Sequence, residues 1–325
     1  MLLEKLNIDS IRNEWKGKLM NLKITIIIPV FNKEMFIENS IMSVLSQDYE
    51  NFEVIVIDDS SEDDSYNILK NLQIREKNNK LLLLKNNINK GVSYSRNRGI
   101  SVATGDYIIF LDADDEISSS QFFNNIARVV SKYNAKYILT TRNYYDKFNR
   151  PSLNSISKYL FELEKDTYIV KDKQSTLING GFPLGGSASA VFSIDLLSDL
   201  RFQIDVEKFE DWLFFTPLFF KTDVFYLSNE MIYINYDEKS LSRRKINIGN
   251  IAVPEYYTYL DGNKSYNKIR KTFFWMWLNS IISKDLTRID NLRLLIKFRK
   301  GIFENLFFSK VFLKSLVAII IKLIS

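Results

Sequence analysis

Neither histidine nor cysteine occurs anywhere in the 325 residues. Without cysteine there is no disulfide and no thiolate metal site. Without histidine the usual general base, the usual zinc ligand and every serine–histidine mechanism are excluded. Acid–base and metal chemistry must therefore rest on carboxylates, helped by Lys, Arg, Tyr and Ser. Long apolar runs are missing as well: no stretch reaches the roughly 18 uninterrupted apolar residues of a membrane-spanning helix. The N-terminus does not read as a signal peptide, because Glu4 and Asp9 interrupt it and no apolar core follows. A large excess of one charge sign is missing too. A net +5 on a chain of this length is modest and gives no ground for a nucleic-acid partner. The expectation is a cytoplasmic protein, peripheral at most on the cytoplasmic face of a membrane.

What is present is a large apolar fraction, 46% of residues, ample for a sizeable core. Length alone fits about two domains, or one α/β domain with a C-terminal appendage. From Lys23 to Arg142 strand and helix patterns alternate. Ile24 to Val30 (ITIIIPV) is a β-branched run that reads as a strand buried on both faces. Ile37, Ile41, Val44 and Leu45 then mark one stripe of an amphipathic helix. Phe52 to Asp58 is a second strand, followed by a helix to about Lys77 with acids in its first turn. Leu81 to Lys85 is a third strand and Gly91 to Ala103 a third helix, with Gly105 placed as its stop. Tyr107 to Leu111 is a fourth strand, and Lys136 to Thr141 a fifth after another helix. From Asn143 to Asp166 the pattern is lost and a variable loop region is expected. Order returns at Gly180 to Phe192, a glycine-rich turn leading into a small-residue strand, then a helix from Phe209 to Lys221 and short strands at Val224 to Leu227 and Met231 to Asn235. Such alternation implies an α/β fold with a mostly parallel sheet covered by helices on both faces.

In sheets of this kind ligands sit beyond the carboxyl ends of the strands. That rule selects Pro29 to Asn32, Asp58 to Ser60, and Asp112 to Asp115. Asp112 and Asp114 are two apart, so they point the same way if strand geometry persists. Their oxygens suit a hard ion, Mg²⁺ or Mn²⁺, which adds waters and phosphate oxygens to its shell. The plainer alternative is a solvated acidic turn capping the next helix. Asp58-Asp59 ends a neighbouring strand, where a carboxylate can accept a hydrogen bond from a nucleobase or ribose. Arg96 and Arg98 lie beside a glycine-opened helix start that suits a diphosphate, unless they only cover the helix surface. Glu210-Asp211 could equally be ordinary first-turn acids favoured by the helix dipole.

The ordered segments ITIIIPVFN, FEVIVIDDSSEDDS, NKGVSYSRNRGI, GDYIIFLDADDE and FEDWLFF resemble the glycosyltransferase family 2 pattern on the GT-A fold, over roughly Lys23 to Tyr236. The resemblance implies an inverting transferase that moves sugar from a nucleotide-sugar, most typically a UDP-sugar, to a glycan or lipid-linked acceptor in surface polysaccharide synthesis. It implies donor contacts from Pro29, Val30, Phe31, Asp59, Arg96, Asp112, Ala113 and Asp114. Asp114, helped by Asp112, would hold Mn²⁺ or Mg²⁺. Asp211 would be the general base beside Glu210, and Gly185, Gly186 and Ser187 would fall in the acceptor region. Relatives often place a histidine after the Glu-Asp helix. Its absence leaves Tyr236, Ser240 and Ser242 as candidate diphosphate contacts.

On this view residues 1–20 are an N-terminal extension. Residues 21–245 form the catalytic domain, with a nucleotide half to 115 and an acceptor half from 116. Residues 246–325 form a helical C-terminal region. Its last part, Lys297 to Ser325, holds six basic residues against the single acid Glu304 among many apolar ones. That composition points first to an anionic membrane surface, and otherwise to a homo-oligomer interface or to packing on the catalytic domain. Two other functions use related parts. A sugar nucleotidyltransferase would want a glycine-rich loop after the first strand, which Val30-Phe31-Asn32-Lys33 lacks. A non-catalytic nucleotide-sugar-binding module would not need Asp211.

Overall fold

A computed structural model of the chain describes residues 22–144, 157–173, 175–176, 189–204 and 210–235. The expected N-terminal extension, the C-terminal region, the acceptor segment with Gly185, Gly186 and Ser187, and Tyr236, Ser240 and Ser242 lie outside the described residues.

The first half is built as the alternation requires. Strand β1 (Ile24–Val30) leads through helix α1 (Ile37–Leu45) to β2 (Phe52–Asp58), then α2 (Ser65–Arg75), β3 (Leu81–Lys85), α3 (Val92–Val102) and β4 (Tyr107–Phe110). Ile24, Ile26, Ile27 and Ile28 are all fully buried, so side chains on both faces of β1 enter a core. Each such side chain contributes roughly 1.5–3 kcal/mol of burial. The second half continues with β5 (Glu116–Ile117), α4 (Phe122–Tyr133), β6 (Tyr137–Tyr144), β7 (Leu160–Glu164), β8 (Thr167–Val170), β9 (Ala190–Ser193), α5 (Glu210–Lys221) and β10 (Val224–Ile234).

All ten strands join one sheet, ordered β3-β2-β1-β4-β9-β6-β10-β8-β7, with β5 on β10. The pairs β3-β2, β2-β1 and β1-β4 are parallel. Strand β9 is antiparallel to both β4 and β6, and so joins the two halves. One core cluster on the sheet is anchored by Ile26, Ile28, Phe122 and Phe123. A second is anchored by Ile27, Phe110, Phe192, Phe214 and Phe215. The alternate residues Ile26 and Ile27 therefore serve opposite faces, as the twofold pleat demands.

Three details differ from the sequence pattern. The segment expected as a loop to Asp166 contains strand β7, which turns at Asp166, whose φ is 62°, to pair with β8 just beyond it. The two short strands expected after Asp223 are one strand, β10, with a register shift between Leu227 and Met231. Gly105 is not a left-handed helix stop, since Gly91 is the one positive-φ glycine among the described residues. A Cβ on Gly105 would lie 2.5 Å from Thr25 Oγ1 and 2.8 Å from its backbone nitrogen, so this glycine lets the chain pass close against β1.

Candidate active site

The chain leaves β1 for β2 and β3 on one side, then returns to place β4 on the other side of β1. The carboxyl ends of β1 and β4 therefore flank a topological switch point, the place where open α/β sheets bind ligands. Hydrogen bonds fix the loops there. Asn32, at φ 53°, donates its N–H to Ser61 Oγ at 3.0 Å and accepts the Glu62 N–H at 2.8 Å. Lys33 N–H donates to Ser65 Oγ at 2.8 Å. Glu34 N–H bonds Asp63 at 3.0 Å, and Asp64 N–H bonds Glu34 at 2.9 Å. The loop that follows Pro29, Val30 and Phe31 is thus sewn to the loop after β2.

Asp59 is 3% exposed. Its carboxylate accepts the Asn86 amide at 2.6 Å and the N–H groups of Lys90 and Gly91 at 2.9 and 2.7 Å. It ties down the turn before α3, where Gly91 takes φ 86°. Arg98 donates to Lys85 O at 2.7 Å and to Asn86 Oδ1 at 2.6 Å, tying the end of β3 to the residue that bonds Asp59.

After β4 the strand does not persist through the acids. Asp115 N–H bonds Asp112 O at 2.9 Å, so residues 112–115 form a turn. Asp114 pairs with Lys33 Nζ at 2.6 Å across the switch point. Asp115 accepts the Asn235 N–H at 3.3 Å, while the Asn235 amide donates to Asp114 O at 2.6 Å and so pins the turn from β10. Burial, with Asp112 and Asp114 adding repulsion, pushes the Asp115 carboxyl up to about 9. Burial also raises Asp114; Lys33 opposes that shift and Asp112 reinforces it.

Arg96 joins this turn to α5. Its guanidinium, on a residue only 4% exposed, meets Asp112 Oδ1 at 3.0 Å and Glu210 Oε1 at 3.4 Å. It also lies 5.2 Å from the centre of the Phe202 ring. Burial alone would lower its proton affinity, but Asp112, Glu210 and Asp211 outweigh that and raise it. Burial raises Glu210, and the neighbouring Asp211 adds to the rise. Burial likewise raises Asp211 above the ordinary carboxylate range, against the pull of Arg96 and the Trp212 N–H at 2.8 Å. A carboxylate so raised holds a proton more readily than one in water, as a general base requires.

The geometry therefore brings together Asp112, Ala113, Asp114, Arg96, Glu210 and Asp211, with Pro29 to Phe31 on the neighbouring strand end. Sequence inspection overlooked Lys33, Asn235 and Arg142, whose charge reaches both Asp115 and Asp211. The partners of Lys33 and Asn235 lie 81 and about 120 residues away, and no local pattern marks them.

A parallel β3-β2-β1-β4 half, an antiparallel strand beyond it, and acids at the β4 end define the GT-A arrangement of sugar-nucleotide transferases. Residues 1–349 of S. aureus TarS, solved with UDP-GlcNAc, share this fold. The TM-score is 0.59 at 21% identity, over 93% of this chain and 82% of that one. The glycosyl transferase family 2 model matches residues 25–192, just over half of the sequence. The chain belongs to glycosyl transferase family 2. Its relatives include glycosyltransferase GlyA of Streptococcus pneumoniae serotype 4, 29% identical over 243 residues, 72% of this chain and 32% of that protein. Another is the Escherichia coli UDP-Glc:alpha-D-GlcNAc-diphosphoundecaprenol beta-1,3-glucosyltransferase WfaP, 37% identical over 120 residues, 35% of this chain and 46% of that protein. The matches span about a third to a half of these curated relatives' length.

The family implies a divalent cation. Among the described residues no group of three His, Cys, Asp or Glu side chains forms a ready-made metal site. Asp112 and Asp114 nevertheless fit one. They offer hard oxygen donors at a strand end where burial and mutual repulsion already raise Asp114, and Mg²⁺ or Mn²⁺ commonly draws its remaining ligands from water and phosphate.

Proposed function

We propose that this protein is an inverting glycosyltransferase that moves a sugar from a UDP-sugar to a hydroxyl group of a glycan or lipid-linked acceptor, in the synthesis of a bacterial surface polysaccharide. The observation that carries this reading is the Arg96 bridge. It ties the acid turn after β4 to the Glu210-Asp211 helix start, which supports assigning donor binding and the base to one region of the fold. That the related WfaP is a UDP-Glc:alpha-D-GlcNAc-diphosphoundecaprenol glucosyltransferase supports the donor and acceptor class.

In this mechanism Pro29, Val30 and Phe31 receive the nucleobase through backbone and ring contact. Asp59 holds the adjoining turn in register, within reach of the same end of the nucleotide. Asp114, with Asp112, would hold Mn²⁺ or Mg²⁺, which supplies Lewis-acid stabilisation of the departing diphosphate. Arg96 keeps Asp112 and Glu210 at fixed separation. Asp211 accepts the proton of the acceptor hydroxyl as that oxygen bonds to the anomeric carbon from the face opposite the diphosphate. The bond from anomeric carbon to phosphate oxygen breaks, its electron pair leaves with the diphosphate, and the configuration inverts. Gly185, Gly186 and Ser187 are assigned to the acceptor side. Tyr236, Ser240 and Ser242 are assigned to the diphosphate side. The basic, apolar segment from Lys297 to Ser325 is assigned to peripheral contact with an anionic membrane surface. No helix of the described residues is long and apolar enough to cross a membrane.

A panel of nucleotide-sugars assayed for Mn²⁺-dependent hydrolysis tests this reading without knowledge of the acceptor. At least one UDP-sugar is expected to be hydrolysed, and Asp114→Asn should abolish that turnover while the far-ultraviolet spectrum stays native. Near-normal turnover by Asp114→Asn would remove the acid turn from the mechanism.

A further inference from the structure

Lys33 and Asp114 come from loops that leave adjacent parallel strands on the two sides of the switch point, yet their charged atoms are 2.6 Å apart. The backbone of Lys33 is held at both ends. Its N–H donates to Ser65 Oγ at 2.8 Å, and its carbonyl accepts the Phe36 and Ile37 N–H groups at 3.0 Å. The Cα therefore stays in place, and only the flexible four-carbon stem is left to carry the ammonium elsewhere. The pair is partly open to water: the two side chains are 16% and 14% exposed. An ammonium in that position neutralises one oxygen of one carboxylate, in a turn that holds Asp112, Asp114 and Asp115 and is followed at once by Glu116. A divalent ion held by Asp114 would stand within a few ångströms of that ammonium. Two cations at that range repel, because charges a few ångströms apart in a partly buried site interact strongly.

We propose that Lys33 is the resident counter-cation of Asp114, an internal ammonium that a divalent metal must displace, so that metal binds this site weakly until a nucleoside diphosphate accompanies it. The inference rests on the reading above that Asp114 is a metal ligand, and adds the reason for a coupled order of binding. In the nucleotide-free protein the ammonium holds Asp114 in place and prevents two carboxylates from repelling each other. With metal and diphosphate both bound, Asp114 would hold the metal, and the Lys33 ammonium released from it would face new phosphate charge instead of bare metal. The diphosphate thus removes the penalty that Lys33 imposes on the metal alone.

The test measures Mn²⁺ binding to the full chain by the electron paramagnetic resonance signal of free Mn²⁺, with and without UDP. Lys33→Met is expected to bind Mn²⁺ alone about tenfold tighter than wild type, the scale of one partly buried ion pair no longer in competition. Lys33→Arg, which keeps the charge, should stay close to wild type, and Lys33→Gln repeats the charge removal with a polar terminus should the Met variant not fold. UDP should tighten Mn²⁺ binding more in wild type than in Lys33→Met. Equal or weaker binding of Mn²⁺ alone by both neutral variants overturns the proposal. Asp114→Asn separates it from the reading beneath it. Loss of Mn²⁺ binding there, with no gain in the neutral Lys33 variants, leaves the metal ligand intact and sinks only the role of Lys33. Unchanged Mn²⁺ binding in Asp114→Asn sinks both.

Discussion

At Arg96 one guanidinium serves three parts of the fold: the helix that carries it, the turn after β4 and the start of α5. A planar fork can meet two carboxylates in two directions at once, which a lysine ammonium on a flexible stem does with less geometric definition. Removing one member of a buried charge cluster is more damaging than removing all of it, because the remaining charges stay desolvated. Arg96→Met should therefore destabilise the protein by about 3 kcal/mol, the low end for a broken buried pair because the Asp112 side chain is 37% exposed. Urea denaturation measures this, and a loss below about 0.5 kcal/mol, within the range of an ordinary surface substitution, would show that the bridge is not a structural tie. Asp211 is argued on different grounds. If it takes the acceptor proton, Asp211→Asn should retain donor affinity in calorimetry and lose roughly 10²- to 10⁴-fold in transfer. Transfer at the wild-type rate would place the base elsewhere.

Among the elements, α3 is seated on the sheet more closely than an ordinary helix. A Cβ on Gly99 would lie 2.4 Å from Ile27 Cγ2, whereas one on Gly105 would meet backbone atoms of Thr25 and Lys23 at 2.8 and 2.9 Å. Relief at Gly99 needs the buried, β-branched Ile27 to shift at its stiff χ1, whereas relief at Gly105 needs the strand backbone itself to move. Gly99→Ala should cost about 1–3 kcal/mol by overpacking, relieved in part by better helix propensity. Gly105→Ala should cost more, and thermal melts of the two variants decide the order. Glu53 on β2 holds the same corner together. It receives Lys23 Nζ at 2.8 Å, Thr25 Oγ1 at 2.6 Å, and the Thr104 N–H and hydroxyl at 2.7 Å each. Burial would raise its carboxyl, but these hydrogen bonds outweigh burial and hold it at about 2, against 4.5 when free. A depressed carboxyl contributes stability above its unfolded value and loses it as pH falls through the folded value. The stability it adds is therefore complete above about pH 4.5 and disappears toward pH 2. Glu53→Gln should flatten that part of the acid-denaturation curve, and an unchanged slope between those limits would contradict the assignment.

Across the whole molecule, the half from β1 to β4 was legible because parallel strands buried on both faces must be continuous apolar runs. The half beyond Asn143 was less so. In β7 the residues Phe161 and Glu162 are exposed, so the strand carries charge and no apolar run marks it. Strand β10 was divided in two because Ser228, Asn229 and Glu230 interrupt its apolar residues, although Glu230 is buried and receives the Asn125 amide at 2.6 Å. The acids of the site stand out in sequence, while the cations that organise them act through partners distant in the chain. What unites the two halves is aromatic. Phe110, the last residue of β4, is fully buried, with ring centres of Phe202 at 5.2 Å, Phe192 and Phe214 at 5.8 Å and Phe215 at 6.3 Å. These rings come from β9, α5 and the segment between them, so Phe110 joins the strand that delivers Asp112 to the helix that delivers Asp211. Phe110→Ala should destabilise the protein by about 3–5 kcal/mol through the cavity it leaves. It should also lower the transfer rate more than donor affinity, since base and donor site would lose their fixed separation. Urea melts followed by circular dichroism, with kcat and KM measured well below the midpoint, test both parts. A full loss of stability with kcat intact would mean that the Arg96 bridge alone sets the spacing of the two halves.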